Sequence, residues 1–437
     1  MFHIKKLANA LLIFGTISVY ASSSFNSAYP CLGDRVKLLQ HEIELSKQYS
    51  ANKAFELARK LKVAGHYAEA LSFFKIALAH APRDIRYNYE LGDAYYALGN
   101  MKDGLIGNLA RWYTDNELKN KLWQGEDVKG KVIFVRAQWG LGDTFQYVRY
   151  LKLLKELGAT IIFKVQKPLI DIISLCPYID KVITQGDSTI TFDYQIPLTA
   201  LPYCFKTTLN TIPAQVPYLY ADQSLVTLWK NQLSRDKNFK IGICWRGAYR
   251  TDPQMHLRSL PLKVLEPLFT IPHVSIYSLQ QLDGTEEADA FPQKDKLYTF
   301  NSSFDREHGR FMDTAALIKN LDLVLIIDTS IAHLAGGLGK EVWVMLPFAA
   351  ECRFFMHRTD SPWYPTMRLF RQPQTDDWES VIAQVGEQLR IRLAEFNQIR
   401  EKEKSLEQKI KEVEEKPLLE AKVQALLPWL KNSIPML

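Results

Sequence analysis

The sequence contains few cysteines and has no long apolar run beyond its first 21 residues. Its 437 residues include five cysteines, with no C-x-x-C pair and no metal-type spacing. This scarcity excludes a disulfide scaffold and a cysteine-based metal module. Cys176 and Cys244 lie in apolar segments, so we expect both to be small core residues.

A strong charge of either sign is also missing. The net charge is +6 over the whole chain. This mild excess gives no reason to expect nucleic acid or a membrane surface as a partner, although it suits an anionic substrate. Hydrophobic and charged contents of 47% and 23% are ordinary for a globular protein, and the length allows two or three domains.

Residues 1–21 are typical of a signal peptide. Lys5 and Lys6 precede the apolar run 7–20, which leads to Ala21. The run is too short for a stop-transfer helix, so we expect cleavage after Ala21. The alternative is a frayed or buried apolar N-terminus.

Residues 36–122 are expected to form tetratricopeptide-like helices. A pattern of small and large residues recurs after 34 residues and predicts two helix pairs that touch through the small residues. Such arrays usually bind peptides or partner proteins. The alternative is a short helical cap on the next domain. The pattern consists of Leu57, Ala58, Leu61, Gly65, Ala70, Phe74, Ala77 and Pro82, followed by Leu91, Gly92, Tyr95 and Gly99.

From residue 128 onwards, alternating strands and helices predict an α/β fold with two halves and a cleft between them. The halves are residues 128–225 and 238–390, joined by a linking helix over 225–234. Residues 395–437 form a charged tail that is expected to be a solvated helix or disordered. The predicted strands are 132–136, 160–165, 182–184, 194–197, 240–245, 274–279, 296–300, 323–327, 342–346 and 367–370, and the helices are 144–157, 262–269, 312–320 and 378–389.

The strand 323–327 leads into a helix that is predicted to begin near Thr329. Asp328 lies at the turn, where its side chain can cap the free N–H groups of the helix. This helix start, with Ser330, presents amides and a partial positive charge, so a phosphate is the natural ligand of this corner. His333 follows one helical turn later and either reaches the same ligand or is a packed structural residue.

Gly140, Gly142 and Asp143 form a second candidate ligand loop between a strand and a helix. Phe145 replaces the third glycine of a G-x-G-x-x-G motif, so the loop gives little support to a dinucleotide site. Asp143 would face the cleft, where a carboxylate can take a proton from an attacking hydroxyl. The alternative is that Asp143 is a helix N-cap.

Three arginines, Arg246, Arg250 and Arg258, follow the strand 240–245 together with Gly247. Guanidinium groups bind phosphate oxygens in pairs and stay charged, so this loop suits a diphosphate. The alternative is a solvated basic loop. The chain contains no D-x-D motif, the carboxylate pair that usually holds a divalent metal under a nucleotide diphosphate. We therefore expect no metal cofactor, because arginines and helix N-termini must neutralise any leaving diphosphate.

Several segments, taken in order, resemble one family. They are GLGD-x-x-x-x-x-RY, I-x-W-x-G, Ser278-Leu279-Gln280, DTSIAHLAGGLGK-x-V-W-x-M-L-P and residues 361–378. Together they resemble the bacterial tetratricopeptide-repeat glycosyltransferases, relatives of the heptosyltransferase (family 9) enzymes, over about residues 57–389. The resemblance implies a GT-B fold of two Rossmann-like domains, in which the second holds a nucleotide sugar and the first an acceptor. It also implies transfer without a metal.

The resemblance further implies roles for individual residues. It makes Asp143 the base that activates the acceptor, with Gly140 and Gly142 in the same loop. On the donor side, Arg258 takes the place of a basic residue that contacts the diphosphate, and Gln280 replaces an acidic residue that contacts the nucleoside. The resemblance places Asp328 near the donor sugar and Thr329 and Ser330 at the phosphates. The other donor-side residues in the matching region are Trp245, Arg246, Gly247 and His333.

These implications predict an inverting glycosyltransferase with a nucleotide-diphosphate sugar as co-substrate and a saccharide or protein acceptor. A protein acceptor presented by the helical repeats would match the repeat-bearing O-GlcNAc transferases. The alternative function is a repeat-containing adaptor whose GT-B body has lost activity. Export would separate the enzyme from the cytoplasm, where bacterial nucleotide sugars are made, so the leader is also considered as a membrane tether or a mis-start.

Overall fold

The computed structural model describes residues 49–81, 84–109, 121–184, 190–247 and 257–414. The expected signal peptide, Arg250 and residues 415–437 lie outside these ranges. Over the described ranges, no helix combines the length and the apolar content needed to cross a membrane.

In the described part of the N-terminal region, four helices form two consecutive pairs. The second pair begins 34 residues after the first, at residues 85 and 101 against 51 and 67. Gly92 is required where the second pair crosses, since a Cβ there would lie 2.7 Å from Cα of Gly107. The helices are α1 (Ala51–Val63), α2 (Tyr67–His80), α3 (Ile85–Ala97) and α4 (Met101–Leu109).

The first α/β half contains a four-stranded parallel sheet with the strand order β3-β2-β1-β4. Its central strand β1 is followed directly by the GLGD loop and helix α5. Its elements are β1 (Val132–Arg136), α5 (Leu141–Tyr147), α6 (Arg149–Glu156), β2 (Thr160–Lys164), α7 (Ile170–Ser174), β3 (Lys181–Ile183), β4 (Tyr194–Pro197) and α8 (Leu201–Cys204), and the helix α9 (Gln223–Gln232) leads to the next half.

The second half contains a seven-stranded sheet with the order β10-β11-β9-β8-β5-β6-β7, in which only the β10–β11 pair is antiparallel. Its elements are β5 (Phe239–Cys244), a 3-10 helix (Leu262–Thr270), β6 (Val274–Ser278), α10 (Glu286–Asp289), β7 (Leu297–Tyr298), α11 (Met312–Asn320), β8 (Leu323–Ile327), α12 (Ser330–Gly337), β9 (Val342–Leu346), β10 (Asp360–Ser361), β11 (Tyr364–Arg371) and α13 (Trp378–Glu414).

The two faces of the second sheet belong to different cores because side chains alternate along each strand. One face, which includes Val324 and Ile326 of β8, shares a continuous apolar cluster with Ile133 and Val135 of the first half. The other face packs against α13 and the 3-10 helix. The two halves are therefore joined by apolar contact beneath the predicted cleft.

The strands predicted over 132–136, 194–197, 323–327 and 342–346 and the helix over 312–320 are confirmed to the residue. The other predicted strands and the linking helix lie within three residues of their observed bounds, but three further helices were wrong in extent or type. The helix expected over 144–157 is two helices that meet at Val148, residues 262–269 are a 3-10 helix with Pro267 inside it, and the helix expected to end at 389 continues to Glu414. The charged tail is thus helical as far as it is described, because nothing in its sequence breaks the helix after residue 389.

Candidate active site

The candidate residues lie together because they follow the carboxyl ends of parallel strands, which meet at one edge of a sheet. In the second half, the neighbouring strands β9, β8, β5 and β6 lead to Arg353, Asp328, Arg246 and Gln280, respectively. In the first half, β1 leads to the GLGD loop. The structure thus brings the predicted donor-side and acceptor-side residues to facing edges.

Helices α5 and α12 join the two edges. A Cβ at Gly142 would lie 2.9 Å from Cδ2 of His333 and 3.4 Å from Cα of Ser330, so only glycine allows this approach. Backbone N–H groups of Tyr218 and Leu219 donate to the carbonyl of Gly337 at the far end of α12. The start of α5 therefore lies directly against the start of α12.

Asp143 is buried at this junction and is the third residue of α5, whose N-cap is Gly140, so the prediction that Asp143 is itself the N-cap was wrong. Its Oδ2 accepts a hydrogen bond from the backbone N–H of Gly140 at 2.9 Å, as a helix-capping side chain does. Its Oδ1 lies 2.7 Å from Nη2 of Arg353, which belongs to the opposite half. The carboxylate thus reaches across the junction.

Asp328 does not cap α12, contrary to the sequence prediction. The N-cap is Thr329, and it makes no side-chain capping bond. The Asp328 carboxylate instead lies between Arg258 and His333, with Oδ2 at 3.7 Å from Nη1 of Arg258 and Oδ1 at 3.9 Å from Nε2 of His333. The first amides of α12 are consequently left for another acceptor.

His333 is a buried, neutral side chain. Burial lowers its pKa well below 6.5, and the positive charges of Arg353, Arg149 and Arg258 act in the same direction. Its Nδ1 lies 2.8 Å from the hydroxyl of Tyr364. The ring therefore packs as a structural residue at the α5–α12 contact, with Nε2 at 3.9 Å from Asp328; that it reaches a ligand stays a prediction.

The Arg246 loop is only partly available for a ligand. Nη2 of Arg246 forms an ion pair with Oε1 of Glu287 at 2.5 Å, so this arginine already has an acidic partner. Gly247 provides room for Arg258, because a Cβ there would lie 3.0 Å from Nε of Arg258. Within the described residues, that Nε is buried and has no hydrogen-bond partner. Nε of Arg246 is likewise buried and without a hydrogen-bond partner among the described residues, so both arginines keep an unused donor, but only Arg246 already pairs with a glutamate.

Gln280 and Trp245 hold the protein framework, which corrects their prediction as donor contacts. Oε1 of Gln280 accepts from the N–H groups of Trp245 and Arg246 and from the thiol of Cys244, and its Nε2 donates to the carbonyls of Arg246 and Asp283. No donor remains for a nucleoside. The Trp245 side chain is fully buried on the α13 face of the sheet, away from the first half, because it continues the alternation of Ile241 and Ile243.

Sequence reasoning missed Arg149, although it stands in the quoted GLGD-x-x-x-x-x-RY motif. Its guanidinium donates to the carbonyls of Gln146, Pro213 and Trp363 and to the hydroxyl of Tyr218. The rings of Tyr218, Tyr364 and Trp363 surround it at 4.3, 4.6 and 5.4 Å. An arginine on the apolar side of an amphipathic helix was the available signal. It fixes α6 of the first half to the β10–β11 turn of the second.

Two further residues were missed. Arg353 gave no motif signal, because its role depends on a partner 210 positions away in the chain (353 against 143). Trp139, before the GLGD loop, has a φ of 67° and is 38% exposed. A left-handed backbone is strained for a bulky residue, but nine other non-glycine residues of the described ranges share it, so the signal for Trp139 is its exposed ring directly before the GLGD loop.

One group of potential metal ligands exists among the described residues. Oxygen or sulfur atoms of Asp93, Glu351 and Cys352 lie within 4.8 Å of one another. However, the ammonium of Lys62 already pairs with Asp93, and it lies 2.8 Å from Oε2 of Glu90. A cation of the protein therefore occupies this acidic group, and it carries no metal assignment.

No protein-family model matches the chain. Among curated proteins, Protein FlbA of Caulobacter vibrioides is 23% identical over 287 residues, which cover 61% of this chain and 48% of the relative. The chain therefore spans about half the length of that relative. A family 9 glycosyl transferase from Veillonella parvula is similar in structure, with a TM-score of 0.46, 12% identity and coverage of 57% of this chain and 88% of that one. The structure of E. coli ADP-heptose heptosyltransferase II matches with a TM-score of 0.45 and 11% identity, and the match covers 61% of this chain and 99% of that one. The two solved structures, but not Protein FlbA, carry names from the group that the sequence motifs resemble.

Proposed function

We propose that this protein is an inverting glycosyltransferase that moves a sugar from a nucleotide-diphosphate donor to a hydroxyl acceptor. The observation that carries the proposal is the meeting of the two halves at the GLGD loop, where Gly142 lies against the start of α12 and the neighbouring Asp143 contacts Arg353. One half supplies a carboxylate and the other supplies an anion-binding helix start with Arg258 beside it. These are the two groups that the reaction needs on opposite sides of the reacting carbon.

In this proposal the acceptor oxygen attacks the anomeric carbon and Asp143 takes the hydroxyl proton. The new carbon–oxygen bond forms as the bond to the diphosphate breaks, and the nucleotide diphosphate leaves with the bonding electrons. The free amides of α12, starting with Thr329 and Ser330, and the unused donor of Arg258 neutralise its charge. These groups carry the function usually given to a divalent metal, so we propose that transfer is metal-independent.

We further propose that the two sheets are the Rossmann-like halves of a GT-B fold and that the helix pairs are tetratricopeptide units. The helices pack on the loop after β9, where the hydroxyl of Tyr67 donates to the carbonyl of Ala350 and the N–H of Met356 donates to the carbonyl of Ala97. This contact favours the cap that was considered for the helices. A saccharide and a protein both remain candidate acceptors.

Release of nucleoside diphosphate by the full chain from ADP-, GDP- and UDP-sugars tests the proposal. Asp143→Asn should lower the rate by about 10²–10⁴-fold, the usual loss when a general base is removed. Asp180→Asn is a matched control, because Asp180 also accepts from a backbone N–H (Ile161, 2.8 Å) and pairs with a cation (Lys155, 2.6 Å), but at the amino end of β2. It should leave the rate unchanged.

The result that contradicts the proposal is a folded chain that neither releases nucleoside diphosphate from any donor nor is stabilised by ADP, GDP or UDP against heat. Stabilisation without release would favour the inactive adaptor instead. Equal losses in Asp143→Asn and Asp180→Asn would show that the effect on the rate is structural.

A further inference from the structure

Arg353 lies on the short 3-10 helix Cys352–Phe354 in the loop after β9. Its Nη1 donates to Oε1 of Gln146 at 2.8 Å, and its Nη2 lies 2.7 Å from Asp143 and 3.4 Å from Glu351. The side chain is 15% exposed. An arginine of the donor-side half is therefore docked on the proposed base of the acceptor-side half.

This contact occupies the base. The Gly140 amide donates to Oδ2 of Asp143, and the guanidinium is ion-paired with Oδ1, which makes no hydrogen bond among the described residues. An acceptor hydroxyl must reach a carboxylate oxygen to give up its proton, and the guanidinium stands at the oxygen that the Gly140 amide leaves open. The base is thus held in a resting arrangement until the arginine leaves.

Arg353 is also equipped to bind an anion. Its Nε is buried and has no hydrogen-bond partner among the described residues. It interacts electrostatically with Asp328, which immediately precedes the start of α12. A guanidinium with a free edge binds phosphate oxygens in pairs.

The backbone of the loop is held in place, so the side chain alone can move. Arg371 of β11 donates to the carbonyls of Phe348, Phe354 and Phe355 at 3.2, 3.5 and 2.6 Å. The rings of Phe355 and Tyr96 stack at 5.3 Å, which adds a support from α3. Reorientation of Arg353 therefore requires loss of its contacts with Gln146 and Asp143 and rotation about its side-chain bonds, without movement of the backbone.

We propose that Arg353 is shared between Asp143 in the free enzyme and the diphosphate in the donor complex, so that donor binding releases the base. This inference rests on the proposed function. It makes Arg353 a positioning residue that couples occupancy of the donor site to the access of the acceptor hydroxyl to Asp143. A competition of this kind has a distinctive consequence: removing the charge of Asp143 strengthens nucleotide binding.

The test is a double-mutant cycle on the full chain, with affinity measured by calorimetry for whichever of ADP, GDP and UDP binds the wild type. Asp143→Asn should tighten binding about three- to tenfold, because Arg353 loses its competing partner. Arg353→Gln should weaken it about tenfold, the loss of one charge-assisted hydrogen bond. In the double variant, the gain from Asp143→Asn should vanish. Asp180→Asn, the matched control, should bind like the wild type.

An equal gain in nucleotide affinity from Asp143→Asn in the wild type and in Arg353→Gln would overturn the inference. Such a gain would report only the relief of repulsion between the carboxylate and the nucleotide. Unchanged affinity in Arg353→Gln or in Asp143→Asn would overturn it as well. If Arg353→Gln does not fold, a crystal structure of the wild type with the nucleotide decides: Arg353 on the phosphate supports the inference, and Arg353 still on Asp143 refutes it. Absence of nucleotide binding by the wild type would instead refute the proposed function, and this inference with it.

Discussion

The neutral state of His333 has a measurable consequence for stability. Its ring is 2% exposed, and its pKa is held well below 6.5, first by burial and then by nearby arginines. In the unfolded chain a histidine titrates near its ordinary value of about 6.5. Below that pH the unfolded state binds one more proton than the folded state, so stability falls as the pH falls. The loss approaches about 1.4 kcal/mol per pH unit and is absent above about pH 7.5.

The perturbation is His333→Asn, whose amide keeps a polar atom near the Nδ1 position that faces the Tyr364 hydroxyl. The free energy of unfolding is measured by urea titration at about pH 7.5 and about pH 5.5. Between these values the wild type should lose about 1.4 kcal/mol more than the variant, which has no titrating ring. Tyr364→Phe removes the partner but keeps the histidine, so it should retain the pH dependence of the wild type. Identical pH dependence in His333→Asn and the wild type would refute the assignment of a neutral, buried ring.

Three further variants test the contacts around the site. Arg149→Met should lower the free energy of unfolding by about 3–5 kcal/mol in urea titration, because it leaves buried carbonyls without a donor, and wild-type stability would contradict this. Gly142→Ala should lower the free energy of unfolding by about 1–3 kcal/mol, because its Cβ would lie 2.9 Å from the His333 ring. Gly386→Ala in α13, where the nearest atom would lie 3.6 Å from the Cβ, should instead raise it by about 0.5–1 kcal/mol. Trp139→Ala should raise the acceptor KM about tenfold and leave the donor KM unchanged, because an exposed aromatic ring beside the base suits a sugar face, and equal shifts in both constants would contradict a role in acceptor binding.

Periodicity and turn residues were enough to place many of the secondary-structure elements. The strands before Asp328 and the GLGD loop are apolar runs closed by polar or glycine residues, and both are confirmed to the residue. The break at Val148 was missed because α5 and α6 each have helical spacing and no glycine or proline marks the junction. The length of α13 was missed for the opposite reason, since its buried stripe ends near Phe396 while its backbone continues as a helix.

Motif and strand position together placed Asp143, Arg258, Asp328 and His333 at one corner, because parallel strands deliver their following loops to the same edge of a sheet. What each side chain does there was decided by neighbours distant in the chain. Asp328 faces Arg258 and His333 instead of capping α12, and Asp143 meets Arg353 of the other half. A single sequence reports local spacing. Ion pairs and burial depend on which surfaces of the two halves come together, and that is a property of the tertiary structure alone.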